Sequence, residues 1–424
     1  MLDFLNNPIV AAVIKSAIVI FALMTAFAYM TLIERRVVAK MQGRLGPNRT
    51  GPFGFFQPLA DGLKMIFKEQ IVPTQAKKAI YLVAPIISVV VALSAFAVVP
   101  IGNNWSANPK VHSVWDPLIG DVNIGILWIL AISSLAVYGI VLGGWASGNR
   151  YSLLGALRSA AQMVSYETSL GLALSGVLMW SGSLSMVTIV NQQVSQGIWF
   201  IFAQPLGFVI YLIAGVAEVN RAPFDLPEAE QELTAGYLTE YSGLRWSIYQ
   251  MAEYINMITV SAIASTLFLG GWSFFGLTDR IPVLSIVIFL IKVAFFLFFF
   301  IWLRATLPRI RYDRLMSLGW KVLLPLSVLN VVITACIVAL NIPWGWAING
   351  AIGLIIIAAL LIWMNHQSVV TGTRFTEQSA RGNMVLPTSV HLEKFERPVP
   401  AAIEAAEPVA TVPEPAASAA QVKV

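Results

Sequence analysis

The residues of this chain best able to do chemistry are acids, and they cluster. Glu218 to Tyr241 reads EVNRAPFDLPEAEQELTAGYLTEY, which sets Glu218, Asp225, Glu228, Glu230, Glu232 and Glu240 beside Arg221. A strongly apolar stretch, Trp199 to Ala217, leads directly into it. Carboxylates crowded at the edge of an apolar phase must be paired, solvated or protonated. Acids that line one wet path push each other's pKa values apart, so some keep a proton near neutral pH and can pass it on. The competing reading is local. Asp225-Leu-Pro-Glu228 has the pattern of a helix start: Asp as N-cap, Pro in the first turn, Glu three residues after the cap. Capping accounts for Asp225 and Glu228 better than for Glu232 and Glu240.

Further ionisable residues stand inside or at the ends of apolar spans: Glu167, Glu253 and Lys292, the last in IFLIKVAFFLFFF. A charge at mid-span costs roughly 2.5–3.5 kcal/mol even on lenient scales, so Glu167 and Lys292 are expected to face the bundle interior or water. They would serve either a proton path or a structural ion pair. Lys15 lies near one end of the first span and is expected to snorkel. Glu34-Arg35-Arg36, with Arg44, Arg49 and Asp61, surrounds a Gly/Pro-rich loop, MQGRLGPNRTGPFG. The following segment, FFQPLADGLKMIFKEQ, has apolar residues at helical spacing and reads as an amphipathic helix lying in the interface. An irregular backbone beside such a helix can leave an opening to the bilayer through which a lipid-like molecule passes. Plain anchoring, and basic residues on lipid phosphates, are the simpler readings.

The elements that must carry these residues are membrane helices. Of 424 residues 57% are hydrophobic and 12% charged, with a mean hydropathy of +0.75. That excludes an ordinary soluble domain and predicts an all-α polytopic bundle. Nine stretches approach the ~20 residues a bilayer requires: 9–31, 80–100, 122–142, 160–180, 199–219, 253–273, 282–303, 321–341 and 346–364. Eight form the expected core and the last a ninth. Lys and Arg concentrate in the loop 32–79 and after the seventh span, which puts the N-terminus outside and the long loops and C-terminus in the cytoplasm. The net charge of +5 follows from those loops and gives no sign of nucleic-acid binding. A single cysteine, Cys336, and three scattered histidines offer no disulfide framework, metal site or iron–sulfur ligation. Residues 1–364 are therefore expected to form the membrane domain, with functional loops at 32–79 and 218–252. Residues 365–424, ending in Pro, Ala, Glu and Val without a helical stripe, read as a largely disordered tail.

Several long motifs resemble one family. ERRVVAKMQGRLGPNRTGPFGFFQPLADGLKMIFKE is similar to the first inner loop of the H subunit of proton-pumping NADH–quinone oxidoreductase, respiratory complex I. AEVNRAPFDLPEAEQELTAGYLTEYSG is similar to that family's second signature, and GGWASGNRYSLLGALR, SYE, AEYIN and WLRATLPRIRYDRLMSLGWK fit as well. The resemblance spans about residues 9–341. It implies the membrane wall of a quinone chamber in a bacterial plasma membrane, with quinone as substrate. FMN and the iron–sulfur clusters, including the terminal one, would sit in peripheral partner subunits, and neighbouring membrane-arm subunits would pack alongside. It maps quinone-site positions onto Glu34, Arg35, Arg36, Arg44 and Asp61. It maps an acidic path onto Glu167, Glu218, Asp225, Glu228, Glu230, Glu240 and Glu253, with Arg221 and Arg309 at basic positions of the facing loops. The ninth span and the tail exceed the family's common core. Two other readings remain: the membrane subunit of an energy-converting hydrogenase, and a standalone proton or cation antiporter.

Overall fold

A computed structural model describes residues 8–102, 121–226, 235–274 and 282–380; beyond 363 it describes the backbone alone. The described residues are helical, with no strand among them. The helices are α1 (Pro8–Met41), α2 (Gln57–Phe67), α3 (Lys78–Phe96), α4 (Gly125–Ala146), α5 (Arg150–Ser181), α6 (Met186–Gln196), α7 (Phe200–Ala203), α8 (Pro205–Glu218), α9 (Gly243–Phe268), α10 (Pro282–Thr306), α11 (Tyr312–Leu318), α12 (Leu324–Ala339) and α13 (Gly345–Ala380). A π-helical stretch, Gly319–Leu323, joins α11 to α12.

Among the described residues, seven helical stretches are long and apolar enough to cross a membrane, and an eighth arises if α5 and α6, bent by 57°, count as one span. The fold is thus the polytopic helical bundle expected, with one departure. The stretch 199–219 is not one helix: it breaks at Gln204 into α7 and the 14-residue α8. Pro205 opens α8, where its missing N–H costs nothing, but it cannot donate back into α7. The break lies inside the bundle, where side chains of other spans brace it. Gln204 Nε2 donates to Thr334 Oγ1 (2.8 Å), Asn330 Nδ2 donates to Gln204 Oε1 (3.0 Å), and Asn349 Nδ2 donates to the Ala203 carbonyl (2.8 Å). Irregular backbone at membrane depth survives only where protein supplies such partners. Asn349 also holds the start of α13 close: a Cβ on Gly350 would stand 2.2 Å from the Phe202 carbonyl oxygen.

The core sits between α5, α8 and α9, where Tyr166, Leu174, Tyr211, Ile255 and Phe268 are fully buried. Of the seven single-helix spans, α9 is the least apolar and the most enclosed. Its hydroxyls bond backward along the helix: Thr259 to the Ile255 carbonyl, Ser261 to Met257 and Ser265 to Ser261. That back-bonding lets polar residues sit in an apolar bundle without stranded donors. Residues such as Phe21, Ile291, Phe295 and Ile355 are exposed on the outer faces, where lipid replaces water as solvent.

α1 runs ten residues beyond the expected first span, so Glu34, Arg35, Arg36 and Lys40 are helical. The Gly/Pro loop and the amphipathic α2 follow as expected, and α2 leaves Leu59, Leu63, Ile66 and Phe67 exposed. Lys15 does not snorkel; it is buried, 6% exposed. The chain divides into two compact units, Met1–Ala358 and Ala359–Val424. Within the second, the described backbone is helical up to Ala380.

Candidate functional site

The site begins with a local turn. At the end of α8 the Arg221 amide bonds to the Val216 carbonyl and the Asn220 amide to Ala217. Asn220 takes a left-handed conformation, φ 56°. This is a Schellman cap, with Asn in the position that needs positive φ. It reverses the chain at once and returns Arg221 into the bundle. Gln162, buried on α5, fixes the turn by donating to the Ala217 carbonyl (2.8 Å) and the Phe224 carbonyl (2.9 Å).

Arg221 is the centre of a charge node. Its Nη2 donates to Glu34 Oε2 at 2.7 Å, and its Nη1 lies 2.9 Å from Glu253 Oε1. The guanidinium also stacks on Tyr254, 4.3 Å from the ring centroid. Glu34 further accepts from the Tyr254 hydroxyl (2.6 Å) and from Arg304 Nη1. Arg221 and Glu34 are almost wholly buried, with side chains 4% and 6% exposed. Two carboxylates and two guanidiniums balance, which is the condition for keeping charges in an apolar interior.

On one side of the node lies a cavity of about 610 Å³, walled by Glu34, Arg35, Arg44, Arg221, Gln250 and Arg304 with Val38, Trp246 and Tyr254. Four arginines line it. The volume suits a ring-sized ligand, with polar groups set in an apolar lining. Arg35 is anchored from outside by Asp61 (2.6 Å), and Asp61 in turn accepts from Gln57 (3.1 Å). Arg36 donates to the Pro47 carbonyl at 3.4 Å and so touches the Gly/Pro loop.

On the other side two small cavities meet at Glu218. One, about 30 Å³, is lined by Glu253, Glu218, Asn220, Asn256, Tyr249 and Ser88; the other, about 40 Å³, by Glu218, Ser133, Asn256 and Thr259 among apolar residues. Each can hold water against several polar partners. Ser133, whose hydroxyl donates to the Leu130 carbonyl (3.0 Å), lines the second cavity with Glu218, and its neighbour Ser134 donates to Glu167 Oε1. Glu253 and Glu218 thus share one cavity wall, while Ser133 and Ser134, adjacent on α4, stand beside the second cavity and Glu167 respectively.

The remaining expected residues lie elsewhere. Asp225 is buried and pairs with Arg309 at 3.3 Å. Glu240 accepts from Asn149 (2.7 Å), and its carbonyl accepts from Tyr81 (2.7 Å); it lines neither small cavity. Glu228, Glu230 and Glu232 fall outside the described residues, as does the helix start expected at Asp225-Leu-Pro-Glu228. Lys292 stands apart from the acids. Its Nζ donates to the carbonyls of Leu269 (2.7 Å), Gly271 (2.9 Å) and Ser273 (2.6 Å), closing the C-terminal end of α9. A cation at a helix C-terminus also opposes the helix dipole favourably. Sequence reasoning did not single out Ser133, Ser134, Tyr254 or Arg304 as site residues. Tyr254 lies inside AEYIN and Arg304 inside WLRATLPRIRYDRLMSLGWK; the serines carry no sequence signal of their own. Among the described residues no cluster of His, Cys, Asp and Glu could hold a metal ion.

The family profile described as NADH dehydrogenase matches residues 14–335. The H subunit of NADH-quinone oxidoreductase from Deinococcus deserti is 50% identical over 353 residues, covering 82% of this chain and 89% of that one. Subunit 8 of the Thermus thermophilus enzyme is 52% identical over 339 residues, 80% of this chain and 89% of that one. The H subunit from Thermomicrobium roseum is 54% identical over 324 residues, 74% and 92%. The chain belongs to the H-subunit family of NADH-quinone oxidoreductase. It is therefore a multi-pass membrane subunit of respiratory complex I, working in the quinone and proton-path region beside other subunits of that complex. The hydrogenase and antiporter readings have no such support.

Proposed function

We propose that this chain walls the quinone chamber with the 610 Å³ cavity and carries charge from it inward through Arg221. Quinone passes the exposed apolar face of α2 and the Gly/Pro loop. Arg35, Arg44, Arg221 and Arg304 hold positive charge where the reduced headgroup gathers electrons, and Glu34 keeps Arg221 and Arg304 oriented. Asp61 positions Arg35. Electrons arrive from an iron–sulfur cluster of a peripheral partner subunit, and two electrons with two protons convert quinone to quinol. Negative charge at the headgroup draws the Arg221 guanidinium toward the cavity and weakens its hold on Glu253. Glu253 then gains proton affinity, and the change is passed to Glu218 and Glu167 through the water-sized cavities and Ser133–Ser134. Asp225, with Arg309, and Glu228, Glu230 and Glu240 supply further acidic charge from the same loop.

The observation that carries this reading is the double role of Arg221, which walls the large cavity and pairs with the first acid of the inner path. In orientation, the N-terminus is outside and the basic loops cytoplasmic. α8 retraces α5, since Gly176 faces Gln204 while Gln162 reaches Ala217, and it counts as a crossing.

A photoreactive quinone analogue tests the chamber in the assembled complex. Labelling within residues 34–70, suppressed by excess quinone, is expected. Labelling confined to other subunits refutes the assignment.

A further inference from the structure

We infer that a cleft between the starts of α3 and α9 binds the headgroup phosphate of an anionic phospholipid. The cleft has a volume of about 420 Å³ and shares no lining residue with the cavity at Glu34. Its polar lining is Thr74, Lys78, Tyr81 and Arg245, and among the described residues no carboxylate lines it. Two cations therefore converge on one space. The Arg245 guanidinium lies 5.3 Å over the Tyr81 ring and shares the cleft with Lys78. A phosphate supplies several strong acceptor oxygens in a geometry that fits a guanidinium fork, and Lys78 adds a point charge.

Position selects a lipid over a soluble anion. Lys78 is the first residue of the apolar helix α3. Lys77 beside it lies 4.0 Å over the Trp145 ring, and aromatic rings paired with basic residues mark the level of the headgroups. Below Lys78, at successive helical turns, come Leu82, Ile86 and Val90, all exposed. Residues four apart share one helix face. From Lys78 to Val90 this stripe descends about 18 Å at 1.5 Å per residue, a little more than half the ~30 Å hydrocarbon core. That is the track of one acyl chain in one leaflet. A zwitterionic headgroup brings its own cation toward Lys78 and Arg245, so the site favours a lipid with net negative charge.

The test uses the intact complex, purified with wild-type, Lys78→Gln, Arg245→Gln or Arg245→Lys subunit and washed in detergent. Retained phospholipid is then counted by mass spectrometry. The wild-type complex is expected to keep about one more phosphatidylglycerol than Lys78→Gln or Arg245→Gln, with phosphatidylcholine unchanged and Arg245→Lys intermediate. Lys78 is exposed, so its variant reports on binding even if loss of the Arg245–Tyr81 stack harms folding. Equal phosphatidylglycerol in the assembled wild-type and Lys78→Gln complexes overturns the inference. Displacement of the lipid by millimolar inorganic phosphate does so too, because it marks a soluble-anion site. Carboxylate side chains of a neighbouring subunit filling the cleft in the assembled complex also overturn it. The inference does not depend on the quinone reading.

Discussion

Replacing Arg221 by Gln removes one of four charges from a node that now balances. Glu34 keeps Arg304 and Tyr254, while Glu253 loses the guanidinium 2.9 Å away. Breaking a buried ion pair from one side costs about 3–5 kcal/mol. Arg304 still neutralises Glu34, and the large cavity brings water to the node, so the lower end applies, about 3 kcal/mol. At 1.4 kcal/mol per factor of ten this is roughly 150-fold in an equilibrium. Removing both partners leaves no uncompensated charge, so Arg221→Gln with Glu253→Gln is expected to recover most of the loss. The assay is a double-mutant cycle on the detergent-solubilised complex. Its readout is the half-life of assembled complex, followed by size-exclusion chromatography at fixed temperature, where kinetic stability is what is measured. The single Arg221 variant should decay tens of times faster than wild type, and the double variant close to wild type. Quinone reduction should stay low in both, since the guanidinium facing the cavity is gone. A double variant that loses the sum of the two single losses would refute the coupling, and with it the node as the link between cavity and acids.

Three further outcomes are expected. Ser134→Ala removes a hydrogen bond to the Glu167 carboxylate; such charge-assisted bonds contribute about 1.5–3 kcal/mol, so infrared spectra should show a shifted Glu167 carboxyl band, and proton pumping should fall with Glu167→Gln and Glu218→Gln while assembly is kept. Asp61→Asn frees Arg35, whose side chain is half exposed; stability should change by less than about 1 kcal/mol, but the KM for quinone should rise with kcat nearly constant. Lys292→Met strands the carbonyls of Leu269, Gly271 and Ser273 just past α9 and should cost about 3 kcal/mol in complex stability, with the number of protons moved per NADH unchanged in whatever complex survives.

The bundle was legible because each span buries its own backbone hydrogen bonds, so hydropathy over some twenty residues suffices to find it. α2 was legible for the same local reason, and so was the Gly/Pro loop. The break at Gln204 was not. Proline permits a helix start as readily as it forces an interruption, and the partners that stabilise the break, Asn330, Thr334 and Asn349, come from spans far along the chain. Lys292 shows the same limit: a charge at mid-span announces a buried partner, but its partners are backbone carbonyls that no residue type reveals.

From its sequence alone this chain declares a membrane bundle, the surplus of acids in the 218–252 loop, and membership of a family through long ordered motifs. The tertiary structure decides which charges meet. Glu34 finds Arg221, Tyr254 and Arg304 across 187, 220 and 270 positions of chain, and Glu240, in the same loop as Glu218, turns away to Asn149. Electrostatic pairing acts over a few ångströms of space, and helices that cross the bilayer bring together residues that sequence distance keeps apart.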